Sequence, residues 1–200
     1  HVRSRRQRQM CIRDSPYFFL LQVLTAKKLD PFKDVTIVNL AHADGKAALL
    51  RGDVDVWSGL DPITSQSVKV DGSKIIYENK ALNTWGIISA REDFLKSNRD
   101  ITVAVLKNYQ KARAWIQANP DKAAQILATS AKIDLDVAKT VLNGRTKVNV
   151  PLVPGALQSG VLATIQPILV NEAQVRSQAD ATTALSTLYD TSFAFAALKK

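Results

Sequence analysis

The chain has 200 residues, with 27 Lys and Arg against 18 Asp and Glu for a formal net charge of +9, and one Cys, one Met and two His. Residues 1–15 alone hold five arginines and one aspartate, so the rest carries 22 basic against 17 acidic side chains, a net +5. Cys11 lies in that opening too, so the remainder excludes thiol nucleophiles, disulfides and cysteine metal sites. Its basic residues are scattered among acids without a run interleaved with aromatics, which argues against nucleic-acid reading, and no apolar run approaches a membrane span.

Chain order begins with "RRQRQMCIRDS", residues 5–15. The twin arginine at Arg5 and Arg6 followed by the apolar "YFFLLQVL" admits a targeting reading, but Asp14 abuts the apolar run and "TAKKLD" offers lysines where small cleavage-site residues belong. Reverse translation gives a closer match. The codons CGT CGG CAG CGT CAG ATG TGT ATA AGA GAC encode Arg5 to Asp14, and that string resembles the transposase adapter of short-read sequencing libraries. Residues 1–14 are therefore expected to be translated adapter, disordered and outside the fold. The remainder has no Met and opens inside a helix signal, which implies a gene start upstream.

Ser15 and Pro16 open that helix with a hydroxyl and an early proline, and Phe18, Leu21 and Leu24 recur on one face. "DVTIVNL" (34–40) alternates and is β-branched, so it predicts a strand; residues 43–52 predict a short helix stopped by Gly52; 54–59 predict a second strand. A helix follows Pro62, and strands are expected at 74–79 and 84–90. From Arg91 the texture is helical: 91–98, 100–118, 119–131 and 134–142, then a two-proline loop, a long helix over 155–175 and a helical tail. Alternating strands and helices followed by helices define an α/β chain, divided in sequence into 15–82 and 83–200.

The run "DVTIVNLAHADGKAALLRGDVDVWSGLDP", residues 34–62, resembles the periplasmic substrate-binding proteins of ABC importers in the aliphatic-sulfonate, taurine and nitrate group. There a strand, a short helix ending "ALxxGxVDA", a second strand and a Trp-containing "DP" loop follow one another. The similarity continues through "NTWGIISAREDFLKSN", which looks like the crossover back to the first lobe, and an "NPDKAAQIL"-type helix. It implies a type II periplasmic-binding-protein-like two-lobe fold with the N-terminal part of lobe one missing, and the second lobe's first strand missing with it. As the chain stands, it is expected to bind sulfonates poorly.

Ligands of open α/β sheets settle beyond the carboxyl ends of strands, where "WSGLD" falls. Gly59 admits close backbone approach, Trp57 and Ser58 wall the pocket, and Asp61 either pairs with a ligand ammonium or caps the next helix. Ser15, Pro16 and Tyr17 begin a helix whose free N–H groups attract anions, and in the family a Ser or Thr here helps hold the sulfonate. Asn83, Thr84 and Trp85 line the cleft floor in the resemblance; a strand start with a core tryptophan is the other reading. His42 reads as a loop histidine, Trp115 as core beside Val105 and Leu106, and Arg145 as a solvated loop arginine or an anion contact. The family's aromatic-Gly-Val loop is here "TKVNVPLV", so no ligand contact is carried over to it.

The resemblance implies a solute-binding component and not an enzyme. It would bind a small organic anion, an aliphatic sulfonate such as taurine, between two lobes and deliver it to an ABC permease. It implies a monomer without metal, cofactor or nucleic acid, periplasmic or lipid-anchored outside a single-membrane cell. Two relatives of the same plan remain open: the effector domain of a LysR-type regulator, and a thiamine-pyrimidine precursor synthase, whose chemistry leans on Cys and His residues that are scarce here.

Overall fold

A computed structural model describes residues 7–10, 15–82 and 85–199. Contacts divide the chain into two units, His1–Asn83 with Leu127–Arg145, and Thr84–Ile126 with Thr146–Lys200. The sequence division kept all of 83–200 together. Residues 127–145 instead join the first unit because the helix they carry packs against the one after Pro62.

The first unit opens β1 (Gln7–Met10), α1 (Ser15–Ala26), β2 (Thr36–Asn39), α2 (His42–Arg51), β3 (Val56–Ser58) and α3 (Ile63–Lys69). The three strands form a parallel sheet of order β2-β1-β3, with Gln7 opposite Thr36 on one side and Arg8 opposite Val56 on the other. Gln7–Met10 thus corrects the expectation of a disordered opening segment, and it fills the strand place expected to be missing before α1. A central parallel strand is held by backbone N–H and C=O groups on both edges, which any non-proline sequence supplies. The other residues of 1–14 lie outside those described.

Helix α1 accepts Pro16 in its first turn, where an N–H would have no helical acceptor. Tyr17, Leu20, Leu21 and Leu24 recur at three- and four-residue spacing and are all buried, Leu24 to 1% exposure. Burying each leucine contributes about 1.5–3 kcal/mol. Val35, Ala48 and Val54 are buried in the same unit, as are Val137, Ala138 and Val141. Helix α2 stops at Gly52, whose φ of 78° is left-handed, so that the Gly52 and Asp53 N–H groups return to the Leu49 and Ala48 carbonyls at 3.0 and 2.9 Å.

Two expected strands are absent. Residues 74–79 and the described part of 84–90 form no helix or strand, and a 3₁₀ turn at Lys80–Leu82 lies between them. Alternating apolar residues make a strand only when a neighbouring edge is available. Ile75, Ile76, Ile87 and Ile88 are exposed instead.

The second unit is helical: α4 (Glu92–Ser97), α5 (Arg99–Ala118), the start of α6 (Pro120–Ala131), α8 (Ala156–Asn171), α9 (Gln178–Thr187) and α10 (Ser192–Leu198). The end of α6 and α7 (Leu135–Thr140), with a π-type turn at Val141–Arg145, belong to the first unit. Helix α10 packs Phe193, Ala194 and Ala197 toward α5, and the Arg99 guanidinium sits 4.7 Å from the Phe193 ring centre. Arg113 of α5 clamps the two-proline loop by donating to the Val148 carbonyl at 2.8 Å and to the Val150 carbonyl. Trp115, expected in the core beside Val105 and Leu106, is 41% exposed, and Val105 is exposed with it.

Candidate functional site

In a parallel sheet all carboxyl ends share one edge, so β1, β2 and β3 deliver α1, α2 and the loop 59–62 to the same side of the first unit. The order β2-β1-β3 reverses direction between β1 and β3, which is the place where open α/β sheets form a crevice. The start of α1 and the loop after β3 flank it. They are joined directly: the Ser58 hydroxyl donates to the Pro16 carbonyl at 2.9 Å, which fixes the strand end against the first turn of the helix.

Trp57 folds onto its own loop. A Cβ on Gly59 would lie 2.3 Å from Trp57 Cζ2, so this glycine is what lets the indole rest on the backbone. Trp57 Nε1 and Thr64 Oγ1, on either side of the loop, are buried without hydrogen-bond partners. Ser15, Trp57, Ser58 and Gly59 are half-buried, whereas Tyr17 is 4% exposed and packs edge-on with Phe18, ring centres 5.5 Å apart. Tyr17 therefore lies beneath the first turn of α1 and presents little surface outside it.

Asp61 is fully engaged inside the protein. Its Oδ1 accepts from the Ser65 backbone N–H at 3.0 Å and the Ser65 hydroxyl at 2.5 Å, closing the first turn of α3, and its Oδ2 pairs with Arg145 Nε. Asp61 thus holds the first turn of α3 from just before its N-cap position, Pro62. Arg145 is not a solvated loop arginine, since its side chain is 24% exposed and its other branch lies 3.5 Å from Glu78 Oε2. Sequence reasoning missed this pairing. The two residues are 84 positions apart, and no local spacing signals a contact made by folding α7 back onto α3.

Trp85 stands at the start of the second unit with its Nε1 buried and unpartnered, and Asn83 and Thr84 lie outside the described residues. His42 opens α2 half-buried. Among the described residues no cluster of His, Cys, Asp and Glu has the arrangement of a metal site, and no helix is long and apolar enough to cross a membrane.

A short parallel sheet followed by a helical unit is a partial α/β binding-protein fold, the one the sequence resemblance implied. The chain belongs to the NMT1-like family, whose model matches residues 15–131. A curated Escherichia coli (strain K12) protein described as aliphatic sulfonates-binding is 26% identical over 132 residues, covering 66% of this chain and 41% of that protein. Two solved structures share the fold. The periplasmic aliphatic sulphonate binding protein SsuA of E. coli superposes with a TM-score of 0.74 at 21% identity, over 90% of this chain and 58% of that one. The alkanesulfonate-binding protein SsuA of Xanthomonas axonopodis pv. citri, bound to MOPS, gives 0.76 at 19% identity, over 90% and 62%. This chain thus spans about two fifths to three fifths of the length of these relatives.

Proposed function

We propose that this chain is part of a solute-binding protein of an ABC importer that holds a small organic sulfonate at the carboxyl edge of the sheet. The observation that supports this most is the junction of α1 and β3: the positive dipole end of a helix tied by Ser58 to a loop carrying Trp57 and Gly59. A sulfonate needs a positive electrostatic environment for its anionic head, to which the dipole end of α1 contributes, and an apolar wall for its short alkyl chain, which the indole supplies. Ser15, Trp57, Ser58 and Gly59 are the contacts proposed in the first unit, with Asn83, Thr84 and Trp85 as contacts from the stretch where the chain passes to the second. Tyr17 and Asp61 act by supporting the site.

The names of the relatives favour the sulfonate class. Taurine is the proposed member, periplasmic location and delivery to a permease by a monomer are the proposed setting, and no bond is made or broken. A ligand that contacts both lobes only when they are closed shifts a hinge equilibrium toward closure.

Titration of the 200-residue chain with ethanesulfonate and taurine, followed by tryptophan emission, tests the ligand class. Weak, saturable binding in the millimolar range is expected, roughly 4 kcal/mol, with acetate and tetramethylammonium giving none. Equal responses to acetate and ethanesulfonate would remove the sulfonate assignment.

A further inference from the structure

The chain leaves the first unit at Asn83 and again at Arg145, and a single polar cluster lies beside both exits. Arg145, the last residue of the unit, pairs through Nε with Asp61 of the loop after β3 and through its other branch with Glu78, five residues before the first exit. Lys80 lies 3.9 Å from Glu78 and donates to the Gly144 carbonyl at 3.1 Å, so the two departing stretches are also fastened to each other. The first stretch rests in turn on α1: Tyr77 packs on Phe19 with ring centres 5.9 Å apart, and Gln22 Nε2 donates to the Phe18 carbonyl at 3.2 Å and reaches the Leu82 carbonyl at 3.5 Å.

We propose that Arg145 is a positioning residue that couples the ligand-site loop 59–62 to both stretches, 77–82 and 141–145, through which the chain passes to the second unit. Its guanidinium is planar and forked, so it meets two carboxylates at fixed angles, which a lysine ammonium cannot do. With the Arg145 and Asp61 side chains 24% and 20% exposed, the pair is less screened than a surface bridge, and losing one member leaves the other partly buried and unpaired. Displacing the loop therefore loosens Arg145, and with it Glu78 and the first exit, although Asp61 touches no residue of 77–82 in this network.

That last point separates coupling from local support. Amide hydrogen exchange of the full 200-residue chain is the measurement, with Asp61→Asn, Glu78→Gln, Arg145→Lys and Lys46→Ala. Asp61→Asn is expected to speed exchange roughly tenfold in both 80–82 and 141–145, and Glu78→Gln to do the same at 141–145. Arg145→Lys, which meets one carboxylate at a time, should leave one stretch at its wild-type rate and speed exchange in the other. Lys46→Ala breaks a pair with Asp71 in the same unit, 2.8 Å in length, and should move neither stretch. Acceleration confined to residues beside each substitution overturns the proposal. So does equal acceleration by Lys46→Ala, which would mean general loosening.

A second arm rests on the ligand reading given above: added ethanesulfonate should slow exchange at 80–82 and 141–145 in the wild type and lose that effect in Asp61→Asn. Protection of the loop alone overturns the coupling. No protection anywhere, with the ligand-free pattern intact, overturns the sulfonate reading and leaves the coupling supported.

Discussion

Helix α1 buries six of its twelve residues, whereas α5, at twenty residues, buries none. Both carry large apolar side chains, but α1 holds no charged residue and is apolar around most of its surface, whereas α5 carries an apolar stripe among Arg99, Asp100, Lys107, Lys111 and Arg113. The two also differ in what they meet. Helix α1 lies against β3 of a sheet and is tied to it by Ser58, while α5 meets α10 and α4 and leaves Ile101, Val105 and Tyr109 exposed. A sequence pattern supplies an apolar stripe; burial requires a surface broad enough to cover it.

The comparison is broken most completely at the strand that makes the first unit's surface. Gln9→Pro in β1 removes a donor from a central strand and should destabilise the first unit by about 3 kcal/mol or more, with the helical signal of the second unit largely retained in circular dichroism. An unchanged first unit would mean that β1 is not part of the folded sheet. Truncation comes next: Leu24→Ala is expected to cost about 2–5 kcal/mol in urea unfolding, against less than about 0.5 kcal/mol for Ile101→Ala, which is 55% exposed. Similar losses at the two sites would show that α5 is covered in solution.

Smaller effects sharpen the contrast at helix ends. Gly52→Ala forces a left-handed residue at the end of α2 and should destabilise the first unit by about 1–2 kcal/mol. In the second unit Ser177 caps α9 by accepting from the Asp180 N–H at 3.1 Å, and Ser177→Ala is expected to cost about 1 kcal/mol, read as a lowered melting midpoint. Asp190 gives the weakest signal. The Ser192 hydroxyl and N–H hold its carboxyl below the ordinary range, so its contribution to α10 is present above the unfolded carboxylate pKa and disappears as pH falls through the lowered folded value. Fraying of α10 on acidification, reduced in Asp190→Asn, is the expected exchange pattern.

Much of the first unit is legible in residue order. Ser15-Pro16, the alternation of 34–40 and Gly52 each encode a local conformation that the fold keeps. The strand pairings are less so. "QRQM" has little β propensity yet pairs on both edges, whereas the isoleucine-rich 74–79 pairs on neither, because strand formation depends on which edge is beside a segment. At the candidate site, Trp57 and Ser58 could be found from their place at the end of a strand, Gly59 from its place just after it, and Asp61 from its place before proline. Arg145 could not, since its role exists only through contacts made with Asp61 and Glu78 in three dimensions.

The location of the ligand is the central claim, and mapping it residue by residue tests that claim most directly. Ethanesulfonate titrated into the ¹⁵N-labelled chain should move the amide signals of Ser15, Tyr17 and Trp57–Asp61 together along one saturation curve. Shifts confined to the second unit, or none near the junction of α1 and β3 at saturating sulfonate, would contradict it.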